Sequence, residues 1–394
     1  MAKNSGAKHF LGNFVLMKKA YLDNASTTAM RPEVISEITQ VMASAYGNPS
    51  STHSYGRTAK VVLETARKTI ASLINAEARE IIFTSGGTEA NNLILHSAVK
   101  DLGILRVISS RTEHHSVLNT IPELVTQFGI RAEYVNLTPG GYPDLNHLEE
   151  LLQEDIPTLV SLIHVSNETG SVLNLQRTGA LCRQYKALFH TDTVQSMGKV
   201  EINLQELPVD FVVSSAHKYH GPKGIGFAYI NKKIGLKPMI YGGEQEKGLR
   251  GGTEAIHQIA GMAKALKIAY TNLNEERAYI TGLKHYLHSQ LDVSFPGYKI
   301  NGQTGNDELF YNITNVLLPL PEDKTAMILF HLDMHGVAVS RGSACQSGSV
   351  KPSHVLKEIL SNEDVMKPSL RISLSHYNTK EDIDLLIEGL KKLA

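Results

Sequence analysis

Apolar residues fall in short, dense runs through the first two-thirds of the chain: EIIFTS (80–85), RVISS (106–110), AEYVNL (132–137), TLVSLIHV (158–165), ALFHTD (187–192) and DFVVSS (210–215). The runs are rich in β-branched residues and lack strict alternation. Strands of that kind are covered on both faces, which predicts a mainly parallel sheet. Segments with helical spacing separate them, so this part of the chain reads as an α/β domain. From about residue 272 the pattern changes to a long charged helix, NLNEERAYITGLKHYLHSQL, followed by mixed strands and helices. We expect a large domain over 31–272 and a smaller C-terminal one over 273–394, with 17–30 packing near the smaller unit. Residues 1–16 read as a disordered extension or an upstream start, because Met17 stands just before the first strong motif.

Ligands of open α/β sheets bind beyond the carboxyl ends of the strands. The polar sequences SGGTEANN, RTEHHS, SNETG, TDTVQS and SAHKYHGPKG all sit at such ends, so five loops point at one crevice. In SGGTEANN, Gly86 and Gly87 separate a strand from a helix that Thr88 and Glu89 open. Free N–H groups there could cradle a phosphate, with the Thr88 hydroxyl as a further donor; a plain glycine turn with an N-cap threonine is the other reading. No Gly-Lys-Ser/Thr follows, which excludes a nucleotide P-loop, and GPKGIG (221–226) does not open a long helix as a dinucleotide fingerprint would.

Asp192 ends a buried run, where a carboxylate needs a cation or several donors; a pyridinium nitrogen or the next turn would each serve. Lys218 ends another run, and a desolvated amine there could form a Schiff base. A phosphate cradle, a carboxylate for a ring nitrogen and an amine for an aldehyde together match pyridoxal phosphate. His114 could stack on such a ring and move protons, or simply occupy a turn. Arg371, in the apolar run PSLRISLS, could grip a substrate carboxylate or form a structural ion pair.

Charge and cysteine content narrow the field. Lys plus Arg and Asp plus Glu both number 39, so no overall field favours nucleic acid or an anionic membrane. No apolar run approaches the ~18 residues needed to span a bilayer. The two cysteines, Cys182 and Cys345, offer neither a disulfide framework nor a CxxC pair, which fits a reducing, cytoplasmic setting. HKYH (217–220) and HLDMH (331–335) have metal-compatible spacing but no completing ligand, so no metal site is expected. Cys182 falls in a helical pattern and reads as a packed residue. Cys345 lies in SRGSACQSGS, among serines and glycines with little to bury, and a thiol kept in such a loop suggests use.

The motifs YLDNASTT (21–28), GNPSSTHSYG (47–56), FTSGGTEANN (83–92), RTEHHSVL (111–118), HVSNETG (164–170), HTDTVQS (190–196), SSAHKYHGPKGIG (214–226), RGGTEA (250–255) and SRGSACQS (340–347), in this order, resemble the cysteine desulfurases, fold type I pyridoxal phosphate enzymes of the class V aminotransferase group. The resemblance runs from about residue 20 to the end. It implies a large domain with a mainly parallel seven-stranded sheet and a smaller α+β C-terminal domain. It also implies that Lys218 forms the Schiff base, Asp192 partners the pyridine nitrogen, and His114 is the stacking acid/base. Gly87, Thr88, Ser215 and His217 would hold the phosphate, Asn167 and Gln195 would bond cofactor or substrate, and Thr253 would reach the phosphate of a neighbouring subunit in a homodimer. Arg371 would bind the carboxylate of L-cysteine and Cys345 would take its sulfur as a persulfide for a protein acceptor. The context of Cys345 is similar to that of the group I, iron–sulfur-cluster branch, some of whose members bind metal. Two departures stand out: the chain stops at GLKKLA, short of the long tail some relatives use for docking, and Gln346 stands where many have threonine. A selenocysteine lyase, a plain aminotransferase and a silent sulfur-relay protein are the alternatives; the last needs neither Lys218 nor Asp192.

Overall fold

The computed structural model describes residues 18–302, 309–342 and 352–393. Its first strand, β1 (Ala20–Tyr21), is followed by β2 (Ile81–Thr84), β3 (Arg106–Ser109), β4 (Arg131–Tyr134), β5 (Thr158–Ser161), β6 (Leu188–Asp192), β7 (Phe211–Ser215) and β8 (Gly226–Ile230). Strands β2 to β8 form one seven-stranded sheet in the order β2-β8-β7-β6-β5-β3-β4. All neighbours are parallel except β8, which runs antiparallel to both β2 and β7. β8 is absent from the apolar runs identified above, because its GFAYI begins inside a stretch that reads as a glycine-rich loop.

Within the sheet, successive side chains point into different cores. Ile81 and Phe83 of β2 join one apolar cluster, and Ile82 joins another on the opposite face. Phe211 and Val213 of β7 share the cluster of Ile82, with Val212 on the other side. This two-sided burial is why these strands read as continuous apolar runs. β4 departs from that pattern: it is the edge strand at the far end from β2, and its Arg131 lies in solvent. Helices Pro32–Ser44, Ser54–Leu73 and Ile256–Thr271 cover one face, and Gly87–Leu102 with Thr120–Phe128 cover the other.

A separate apolar core lies beyond Asn272. There β9 (Lys299–Ile300), β10 (Ile313–Leu317) and β12 (Ser369–Ser373) form an antiparallel sheet in the order β12-β10-β9. β11 (Val337–Ala338) pairs in parallel with β1, so the start of the described chain belongs to this second core, to which Ala20 and Leu22 contribute. A bridge from Asp23 to Ser373 then leads residues 24–28 from that core toward the ends of the central strands.

One buried ion pair braces the large sheet. Arg67 donates to both carboxylate oxygens of Glu246, at 2.7 and 2.9 Å, and to the carbonyl of Ile81. Glu246 also accepts from the backbone N–H of Phe83 and adopts φ +45°. A non-glycine residue enters that left-handed region only when its surroundings compensate, as the double-sided salt bridge does here.

Candidate active site

The parallel strands deliver their carboxyl ends to a cavity of about 500 Å³, where the chain order reverses between β3 and β5. His114 follows β3, Asn167 follows β5, Asp192 ends β6, and Ser215, His217 and Lys218 end or follow β7; all line the cavity. Gly86, Gly87 and Thr88 contribute from the start of helix Gly87–Leu102, and Arg371 reaches in from β12.

The glycine turn is shaped as a cradle. Gly86 has φ +150°, and a Cβ there would stand 3.5 Å from the Ser215 hydroxyl oxygen. At Gly87 a Cβ would press within 2.8 Å of Val194. The backbone conformation at Gly86 and the close contact at Gly87 therefore disfavour a side chain, which leaves the first-turn N–H groups of a 16-residue helix open toward the cavity. Gly86, not Thr88, occupies the N-cap position, so Thr88 sits within the first turn, exposed and on the cavity wall.

Asp192 is buried, and its two oxygens have different partners. Oδ1 accepts the Val194 N–H at 2.9 Å, the turn bond that one sequence reading anticipates, while Oδ2 accepts from Asn91 Nδ2 at 2.8 Å. Lys218 extends from the turn after β7 and donates from Nζ to the carbonyls of Ala25 and Ser26, both at 2.7 Å. Gln195 donates to the same Ala25 carbonyl at 2.8 Å and accepts from Lys199 at 3.4 Å. Burial, with the Lys218 charge adding to it, lowers the Lys199 pKa to about 7.

The two imidazoles of the site are held neutral near pH 7. Burial lowers the pKa of His114 and outweighs the attraction of Asp192. Its Nδ1 accepts the Ser116 N–H at 3.1 Å, which places the neutral ring's proton on Nε2. His217 is lowered to about 4 by burial and then by the charges of Lys218, Lys223 and Lys199, and its Nδ1 meets the Thr27 hydroxyl at 3.1 Å.

Both readings of Arg371 find support in the geometry. The guanidinium lines the cavity, yet it also forms an ion pair, with Nη2 at 2.9 Å from Asp23 Oδ1 and 2.5 Å from Ser26 Oγ. Nη1 donates to the Asn167 carbonyl at 2.8 Å, which ties the loop after β5 to β12. Thr253 stands apart: it is exposed and does not line the cavity of its own chain. The nearby Arg250 clasps Glu89 through Nε and Nη2 at 2.9 and 3.3 Å. Cys345 lies outside the described residues. Cys182 is buried in helix Leu175–Gln184, and burial pushes its thiol pKa far up, as expected of a packed, unreactive sulfur.

Several site residues have no role assigned by the sequence reading. Ala25 and Ser26 fall inside YLDNASTT, but what they offer Lys218 is backbone carbonyls, which no motif reports. Asn91 lies within SGGTEANN and Lys199 just beyond HTDTVQS; their contacts depend on how separate strands are stacked. Lys223 and Gly224 also border the cavity.

The residues fit a phosphorylated aldehyde on a cationic ring: a cradle without Cβ atoms, a carboxylate with bonded oxygens and an amine converge on one cavity of suitable size. The class-V aminotransferase family model matches residues 20–386. The chain is 37% identical over 380 residues to cysteine desulfurase IscS of Dictyoglomus turgidum, covering 96% of this chain and 95% of that one. It is also 37% identical to the IscS of Pseudoalteromonas translucida, with 94% and 91% covered. Among solved structures, the NifS-like protein of Rickettsia africae superposes with a TM-score of 0.85 at 34% identity, over 95% of this chain and 99% of that one. A structure described as SspA in complex with cysteine superposes with a TM-score of 0.78 at 30% identity, over 91% and 100%. With a family match across nearly its whole length, the chain belongs to the class-V aminotransferases, pyridoxal phosphate-dependent enzymes of fold type I.

Proposed function

We propose that the protein is a cysteine desulfurase, taking sulfur from L-cysteine, releasing L-alanine and holding the sulfur as a persulfide on Cys345. The observation that carries this reading is the convergence of the Gly86–Gly87 cradle, Asp192, Lys218 and Arg371 on one cavity. The names of the curated relatives and the neighbour solved with cysteine support the choice of substrate.

In that cavity the cofactor supplies an aldehyde for amines and an electron sink for the substrate carbons. Gly87, Thr88, Ser215 and His217 would hold its phosphate, and Lys218 would supply the amine for its aldehyde. The Asp192 carboxylate, with one hydrogen bond to each oxygen, would keep a proton on the ring nitrogen. Asn167 and Gln195 would bond the cofactor or substrate. Arg371 receives the substrate carboxylate, for which its guanidinium is already fixed by Asp23, Ser26 and the Asn167 carbonyl. Lys218, whose Nζ the Ala25 and Ser26 carbonyls hold at the cavity, would be the group that carries the proton of the substrate α-carbon. Neutral His114 stands ready to take a thiol proton. The Cys345 thiolate then attacks the substrate sulfur: an S–S bond forms as the carbon–sulfur bond breaks, and the bond's electron pair returns to the carbon skeleton. That carbon takes up a proton and leaves as alanine.

The same reading makes the protein a cytoplasmic homodimer that passes sulfur to a protein acceptor for iron–sulfur clusters or thio-cofactors, with the large and small units divided near residue 272. Thr253, exposed and away from its own cavity, would serve a second copy. Ile35, Met42, Tyr46 and Tyr55, all exposed on or beside the first two helices, supply apolar surface for it. The decisive experiment incubates the purified protein with L-cysteine, quantifies alanine and maps the persulfide by mass spectrometry. Alanine in proportion to a persulfide on Cys345 supports the reading. Keto acid without sulfide indicates an aminotransferase, and full turnover by Cys345→Ser with selenocysteine but not cysteine indicates a selenocysteine lyase.

A further inference from the structure

Asn91 stands in the first part of helix Gly87–Leu102, completely buried between the loop after β3 and the end of β6. Its single amide nitrogen is 2.8 Å from Asp192 Oδ2 and 2.8 Å from Ser116 Oγ. The orientation of the amide is fixed by chemistry: its oxygen could not face a carboxylate oxygen without repulsion, so Nδ2 does, and both amide protons are spent. Ser116 Oγ, accepting from Asn91, has one proton left to give. Its remaining neighbour in reach is His114 Nδ1, at 2.8 Å. The same nitrogen already accepts the Ser116 backbone N–H at 3.1 Å. The hydrogen bonds therefore run in one sense only: Asn91 donates outward to the carboxylate and to the serine, and the serine donates to the imidazole.

We infer that Asn91 is a positioning residue that sets this direction, holding the Asp192 carboxylate as an acceptor and, through the Ser116 hydroxyl, adding a second donor at His114 Nδ1 to the backbone N–H that keeps the ring's proton on Nε2. The inference builds on the role given to Asp192 and His114 in the proposed function, because only in that setting do both groups act on one bound molecule. An interior of similar shape could be filled by leucine, and leucine would avoid the buried Asn91 Oδ1, which has no hydrogen-bond partner. What the carboxamide provides that leucine lacks is two donors from one atom, spanning two groups that belong to different strand ends.

Without Asn91 the serine hydroxyl is released. Its proton is no longer held toward Nδ1, and Asp192 loses the donor that offsets its charge, so the imidazole takes up a proton more readily. The charged and titratable groups around His114 are Asp192 at the end of β6, Lys218 after β7, His115 on its own helix and His354 on the short helix His354–Ile359. None of them changes in the variants below.

The test uses the full-length protein, cofactor-loaded and cofactor-free, labelled with ¹⁵N in its imidazoles. The His114 signals are assigned by their loss in His114→Gln. In the unsubstituted protein Nε2 should carry the proton and Nδ1 none at pH 7. In Asn91→Leu the His114 titration midpoint should rise by about one pH unit or more, a tenfold gain in proton affinity. Ser116→Ala keeps the Asn91–Asp192 bond and should also alter Nδ1, so it serves if Asn91→Leu does not fold. A His114 midpoint unchanged in the folded variants would overturn the inference. Sulfur release from L-cysteine, measured in parallel, reports separately on the proposed function: its absence in the unsubstituted protein would sink that reading while leaving the imidazole result intact.

Discussion

Replacing Lys199 by methionine should make the protein more stable, most of all at and below neutral pH. Lys199 is buried, and the hydrogen bond from its Nζ to Gln195 Oε1 is 3.4 Å long, beyond the range of a well-formed N–H···O contact. Burial and the Lys218 charge lower the pKa from 10.5 to about 7. The unfolded chain, with its ordinary lysine, therefore binds more protons between about pH 7 and 10.5, and this group's contribution to stability rises with pH across that window. Below pH 7 both states are charged and the folded one bears the whole penalty; above 10.5 both are neutral and the contribution vanishes. At about 1.4 kcal/mol per pH unit the full penalty is roughly 5 kcal/mol, and relaxation around the ammonium brings the expected gain to about 2–4 kcal/mol. Methionine keeps the unbranched stem, so packing changes little. The chain has no tryptophan, so urea unfolding is followed by far-ultraviolet circular dichroism at pH 6, 7, 8.5 and 10. Lys199→Met should unfold at higher urea than the parent at pH 6 and 7, with the two curves converging toward pH 10. A variant less stable than the parent at pH 7, or a gap that does not change with pH, would refute the reasoning.

Glu246→Leu should destabilise the protein by about 3–5 kcal/mol in urea unfolding, since it strands the buried Arg67 guanidinium, whereas Arg67→Met with Glu246→Leu should recover most of that loss; additive losses in the double variant would rule out the coupling. Asp192→Asn should retain the bound cofactor but lower sulfur release by about 10- to 100-fold, the worth of a hydrogen bond to a charged group; undiminished turnover would remove Asp192 from the mechanism. Lys218→Ala should abolish sulfur release and change the cofactor's visible absorption, and an unchanged spectrum would exclude the residue as its amine partner. Cys182 should resist iodoacetamide at pH 8 in the folded protein and react once unfolded, because burial holds its thiol protonated; rapid labelling of the native chain would contradict its buried position.

The legible and illegible parts of the molecule divide by the range of the interaction that creates them. Strands buried on both faces announce themselves as apolar runs, and the loops that follow them carry the chemistry, so His114, Asn167, Asp192 and Lys218 could be assigned to one crevice from sequence. β8 escaped because its first glycine continues the GPKG turn, and its antiparallel pairing with β7 needs no intervening helix to mark it. Arg371 could be singled out as a charge in an apolar strand, yet its choice between substrate and ion pair depends on Asp23, 348 positions away in sequence. Backbone carbonyls such as those of Ala25 and Ser26 have no sequence signature at all, although they set the position of the Lys218 amine.

These long-range contacts have one feature in common that bears on function. Residues 23–28 leave the C-terminal core beside Ser373, give Asp23 and Ser26 to Arg371, give the Ala25 and Ser26 carbonyls to Lys218, and give Thr27 to His217. A single six-residue stretch thus touches the groups proposed to hold the substrate carboxylate, the aldehyde and the phosphate. A shift of the C-terminal unit against the large sheet would move all three at once, because the stretch is fastened to both. Relative placement of the two cores is therefore part of the geometry of the site, and a substitution at Ser373, whose hydroxyl accepts the Ala25 N–H at 2.8 Å, should disturb the lysine and the arginine together though it touches neither.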